Sequence, residues 1–161
     1  MKKELKALII DCDNEIGRIK VIIDGEPFGL TTPYLTKYAL IKACGTTERV
    51  FKSTIANYFN RSKLPQVQKF INKNVRESSC NPTYDRVVNM LAEYDEMWKQ
   101  NFKVSIKNHS DYKKVIQSLD SLVSARNSFA HGGNPTITIG NIVTYFKDTI
   151  DFLYILDRTV K

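Results

Sequence analysis

Apolar residues recur along this chain with the 3.6-residue period of an amphipathic helix, and they do so in five long stretches. That repetition limits the fold more than any other feature. Residues 2–23 place Leu5, Leu8, Ile9, Cys12, Ile16, Ile19 and Ile23 on one face, and Asp24-Gly25 ends the pattern. The next stretch begins at Thr32 as N-cap with Pro33 at the first helical position, and runs to about Asn60. A short helix follows Pro65. "NPTYDRVVNMLAEYDEMWKQNF" reads as one helix opened by Asn81 and Pro82, with Tyr84, Val87, Val88, Leu91, Tyr94 and Trp98 facing inward. Residues 111–131 form another, ended by "HGGNP". The last, over 140–160, is rich in aromatics: Tyr145, Phe146, Phe152 and Tyr154. Strand signals are weak, since "PTITI" at 135–139 alternates but is short and starts on proline. The expectation is a single all-α domain over 1–161, an up-and-down bundle of four to five helices with short connections.

Three cysteines, Cys12, Cys44 and Cys80, are far apart and odd in number, which argues against a disulfide framework or a zinc site. The apolar run at the N-terminus is broken by Asp11 and Asp13, and no stretch has the length of a membrane span. A cytoplasmic protein with no membrane partner is expected. The net charge is +7, which suggests an anionic partner. Between residues 49 and 76 the chain has seven cations and no acid: Arg49, Lys52, Arg61, Lys63, Lys69, Lys73 and Arg76. Phe51, Tyr58, Phe59 and Phe70 are interleaved with them. Cations for phosphates beside aromatic faces for bases suit a single-stranded nucleic acid. The plainer alternative is a solvated basic surface over core aromatics.

Two charges fall where apolar residues belong. On a helical wheel Arg126 lies within about 20° of the centre of the stripe Val115, Ile116, Leu119, Leu122, Val123, Phe129 and Ala130. Glu48 lies within about 20° of the centre of Leu40, Ile41, Cys44, Phe51, Ile55, Tyr58 and Phe59. A lone buried charge costs several kcal/mol, so the two are expected to meet or to share a polar pocket. Asn127 and His131, four residues apart, stack on one flank beside Arg126. A structural reading remains open here: a histidine before glycine is a common helix ending, and a Glu–Arg pair is a common structural device.

"RNSFAHG" carries the R-x(4–6)-H signature of the HEPN superfamily, with Asn127 as the polar residue after the arginine. "ALIKACGTTERVFKSTIANYF" resembles the second helix of HEPN proteins of the RiboL-PSP and MAE_28990 types, with Glu48 in place of their glutamate. The order of helices is similar over essentially the whole chain. The resemblance implies a HEPN-like bundle that forms a homodimer, with two motifs facing across a basic cleft. It implies a metal-independent endoribonuclease that needs no cofactor, acting as a toxin or antiviral effector. A separately encoded antitoxin or defence-system partner goes with that role. Arg126, Asn127, His131 and Glu48 are then the catalytic candidates.

The residue chemistry agrees with that picture. RNA breaks when its 2′-hydroxyl attacks the adjacent phosphorus, which requires a proton acceptor, a proton donor and a cation for the phosphorane. His131 can serve in either proton role, and Arg126 offers a permanent planar fork. One motif holds one histidine, so two facing motifs would fill both roles. No carboxylate cluster with metal-ligand spacing accompanies the motif. His109, in "KNHSD", reads as a surface residue. A non-catalytic HEPN-like module that binds RNA or protein is the alternative, and a helical adaptor without a nucleic acid partner is a third reading.

Overall fold

Four of the five long periodic segments become the longest helices, and these pack on one another. The computed structural model describes residues 1–161. Its helices are α1 (Lys3–Gly25), α2 (Thr32–Phe59), α3 (Pro65–Ile71), α4 (Tyr84–Tyr94), α5 (Glu96–Lys107), α6 (Tyr112–Ala130) and α7 (Ile139–Thr159), with a π-helical turn at Asn72–Arg76 after α3. There are no strands, and residues 133–138 run without regular structure into α7.

Helices α1, α2, α6 and α7 form the frame of the bundle. The Met1 ammonium pairs with Asp157 near the end of α7 at 2.5 Å. Glu15 of α1 meets Lys42 of α2 at 2.7 Å. Cys44 of α2 donates to the Leu122 carbonyl of α6 at 3.3 Å, and Ser118 of α6 donates to Asp148 of α7 at 2.7 Å. Lys37 near the start of α2 lies over the Phe129 ring near the end of α6 at 5.2 Å, while Cys44, further along α2, meets Leu122, earlier in α6, so these two frame helices run antiparallel. The three shorter helices lie between α2 and α6 in the chain and supply Ile71, Met90, Leu91 and Phe102 to the larger of two core clusters. The smaller cluster joins Ile16, Leu40, Cys44, Leu122 and Phe146.

Three details depart from the sequence reading. Helix α2 starts one residue earlier, with Thr31 at the N-cap position, and the Thr32 hydroxyl instead donates to the Glu26 carbonyl at 3.0 Å. The segment after Cys80 is two helices, not one, and Thr83, not Asn81, caps the first. The break is at Asp95. Its backbone is extended, and its carboxylate accepts from the Met97 and Trp98 N–H groups at 2.7 and 3.2 Å. An aspartate that satisfies two free N–H groups starts a helix better than it continues one.

The third departure bears on the site. Helix α2 is buried over a wide arc that includes Thr46, Thr47 and Thr54. The Thr47 and Thr54 hydroxyls are satisfied by the carbonyls of Ala43 and Val50, both at 2.9 Å, so threonine fills core positions there. The centre of the arc moves toward Thr47. Glu48, about 100° further round the helix, is left at the rim, and Ile41 is half-exposed.

Candidate active site

Helix α6 stays in the core only as far as Val123. Arg126 lies on the continuation of its apolar stripe, one turn beyond the core. Arg126, Asn127 and Phe129 are half-buried there, and Ala130 is exposed. This explains how an arginine can be centred on an apolar face without being engulfed. The stripe outlasts the core that it covers.

The end of α6 is set by backbone geometry. His131 is the C-cap residue, and its N–H bonds the Asn127 carbonyl at 3.1 Å. Gly132 takes a left-handed φ of 82°. Its N–H reaches the Phe129 carbonyl at 3.1 Å, while the Gly133 N–H reaches Ser128 at 2.8 Å. This pair of bonds is a Schellman turn, and it needs a residue without a Cβ penalty at Gly132. Gly133 has a second reason to be glycine: a Cβ there would lie 2.8 Å from the Ser128 carbonyl oxygen. The imidazole is thus carried, exposed, on a rigid chain reversal. Neither the His131 ring nor the Asn127 amide bonds another side chain of the same chain.

Glu48 and Arg126 do meet. One guanidinium nitrogen of Arg126 lies 3.7 Å from Oε2 of Glu48. The sequence reading missed the third member. Lys52, one turn after Glu48, donates to Oε1 of Glu48 and to the Ser78 carbonyl. Its side chain is 8% exposed, against 23% for Glu48 and 26% for Arg126. The run of cations puts Lys52 on the RNA-binding face; it is instead a buried member of an ion-pair chain. The available signal was the Glu-to-Lys spacing of four residues, which favours a pair on one helix face.

Cys44, one turn before Glu48, closes the inner wall. Burial pushes its thiol up to about 12, although the Arg126 guanidinium pulls the other way. At neutral pH it is a protonated donor, not a nucleophile.

A cleft of about 520 Å³ opens beside this chain of charges, lined by Gly45, Glu48, Arg49, Lys52, Ser53 and Arg76. Arg49 is exposed, and Arg76 is oriented by Asn72, Asn57 and Asn60 at 3.0, 3.2 and 3.2 Å. Lys63, Lys69 and Lys73 are exposed on the following segment, and Arg61 sits over the Tyr58 ring at 5.5 Å. The aromatic half of the expected RNA surface is mostly elsewhere. Phe51 is fully buried, while Tyr58 and Phe59 pack edge-on against Trp98. Only Phe70 is well exposed. A larger groove of about 700 Å³ between α6 and α7 contains Asp120 and no cation, so it suits phosphate less. His109 lies apart, half-buried and 3.9 Å from Asp151. No three His, Cys, Asp or Glu side chains gather in metal-binding geometry. No helix is long and apolar enough to cross a membrane.

The model of the RiboL-PSP-HEPN family matches residues 3–161 of the chain. Among curated proteins and among solved structures nothing matches.

Proposed function

Since the chain belongs to the RiboL-PSP-HEPN family, and so to the HEPN superfamily, we propose that it is a metal-independent endoribonuclease. One observation carries the reading. A half-exposed Arg126, engaged by Glu48 at the edge of a basic cleft, precedes by one and a half turns an exposed His131 that a Schellman turn holds in place. A guanidinium with unused N–H donors and an imidazole without a competing partner are what a phosphodiester needs.

In this mechanism an imidazole takes the proton of the 2′-hydroxyl. The O2′–P bond forms, and Arg126 stabilises the charge that builds on the phosphorane oxygens. The P–O5′ bond then breaks, and a protonated imidazole supplies the proton to the leaving oxygen. The products are a 2′,3′-cyclic phosphate and a 5′-hydroxyl. Asn127 orients the phosphate or the ring. The two proton roles are divided between His131 of two copies in a homodimer. An exposed face on α2 supports that pairing: Tyr34, Tyr38 and Ile41 repeat at helical spacing and lead to Gly45 at the cleft. The exposed cations from Arg49 to Arg76 hold the RNA strand. Such an enzyme serves as a toxin or antiviral effector, with a separately encoded partner that restrains it.

The test is cleavage of end-labelled single-stranded RNA in EDTA. A DNA strand with one ribonucleotide should be cut only 3′ to that ribose. Cleavage that survives in His131→Ala, or that chelation abolishes in the native protein, overturns the mechanism and favours a non-catalytic RNA-binding module.

A further inference from the structure

Lys52 is the only charged residue among the buried ones. An ammonium group in such a place costs free energy that its partners only partly return, and replacing a whole buried ion pair by apolar side chains of similar volume is often neutral or stabilising. Stability alone is therefore a weak account of it. Its position is a better one. Lys52 holds Oε1 of Glu48 and the carbonyl of Ser78, just beyond the π-helical turn that presents Arg76 to the cleft. Only Oε2 is left facing Arg126, at 3.7 Å. At that distance the pair is ionic but lacks the two short parallel bonds of a carboxylate–guanidinium clamp.

We infer that Lys52 is a positioning residue: by occupying one oxygen of Glu48, it keeps Arg126 half-engaged and its fork open to a phosphate. The inference rests on the ribonuclease reading for its functional meaning. Without Lys52, both oxygens of Glu48 are free, and the nearest cation is Arg126. The carboxylate then takes the guanidinium as a bidentate partner, and the fork that should meet the phosphorane is filled.

Two measurements test this in the intact protein. Lys52→Met should lower kcat on the order of 100-fold, the scale of a small misplacement of a reacting group, with KM for RNA unchanged. In a Glu48→Gln background the same change should have no further effect on kcat, because Lys52 acts through that carboxylate. A direct contact between Lys52 and RNA would instead raise KM and persist in Glu48→Gln; that result overturns the inference. The second measurement needs no activity. The coupling between Glu48 and Arg126, read from unfolding midpoints of Glu48→Gln, Arg126→Met and the double variant, should rise when Lys52 is replaced. Coupling that stays the same or falls overturns the inference. Lys52→Gln serves both measurements if the methionine variant does not fold. A native protein that leaves RNA uncut in EDTA sinks the ribonuclease reading alone, and the coupling then decides the part of Lys52.

Discussion

Arg126 and Glu48 face each other from antiparallel helices at 3.7 Å, and each side chain keeps about a quarter of its surface in water. The pair is neither a sealed core ion pair nor a loose surface contact. Its energetic weight lies with Lys52, the buried neighbour. Glu48→Ala removes the carboxylate from both cations and leaves the Lys52 ammonium with only the Ser78 carbonyl. Urea unfolding should show a loss of about 2–4 kcal/mol, near the range for breaking a buried pair. Arg126→Ala should cost about 1 kcal/mol, because Glu48 keeps Lys52. A loss below about 0.5 kcal/mol in Glu48→Ala, the range of surface changes, would show that the three charges are energetically independent.

His131 is an exposed cap residue with no side-chain partner. His131→Ala should keep the fold, with a stability change within about 0.5 kcal/mol. It should also keep most of the RNA affinity, and lose cleavage by about 100-fold or more. Circular dichroism, filter binding and a gel assay on one preparation separate these effects.

The exposed lysines make a claim about salt. Replacing Lys63, Lys69 and Lys73 with serine should weaken RNA binding and flatten its dependence on salt, by about 0.7 in log–log slope for each phosphate that is no longer neutralised. Lys52→Met should leave the slope unchanged, since its ammonium is spent inside the protein. A slope that falls as much for Lys52→Met as for a surface lysine would place Lys52 on the RNA.

The apolar face of α2 makes a claim about assembly. The native protein should sediment as a dimer at micromolar concentration. Ile41→Glu puts a charge on a half-exposed apolar position and should yield a folded monomer without nuclease activity. A native protein that remains monomeric, yet cleaves RNA, would contradict the division of proton roles between two histidines.

The thiols report on pH. Burial raises Cys44 from an ordinary value of 9.0 to about 12, and Cys12 to about 11. A raised thiol pKa favours the neutral form in the folded state. That stabilisation is complete below about pH 9 and is lost as the pH climbs through the folded values. At pH 8, iodoacetamide should leave both cysteines unmodified in the folded protein and label them in urea, as mass spectrometry would show.

The frame of the fold was legible because its four helices bury one face each, and periodicity records that directly. Glu48 and Arg126 could be paired on paper because each interrupts such a face. The break at Asp95 was not legible as a break, since Tyr84, Val87, Leu91, Tyr94 and Trp98 keep helical spacing across it. The hydrogen bonds of one carboxylate decided the matter. Lys52 was misplaced for a related reason: a count of cations does not know which of them are indoors. Tyr58 and Phe59 look like stacking platforms in the sequence, but Trp98, forty residues away in the chain, claims them.

The site has a history within each molecule. Glu48 and Lys52 belong to α2, while Arg126 and His131 arrive only with the far end of α6. A nascent chain that stops short of α6 holds the carboxylate and the run of cations, but neither the fork nor the imidazole. Because domains fold as units once their chain is available, the proposed ribonuclease would have no complete site on such a chain. On that reading the site comes into being only when α6 closes onto α2, and a restraining partner would have the interval before it in which to be waiting.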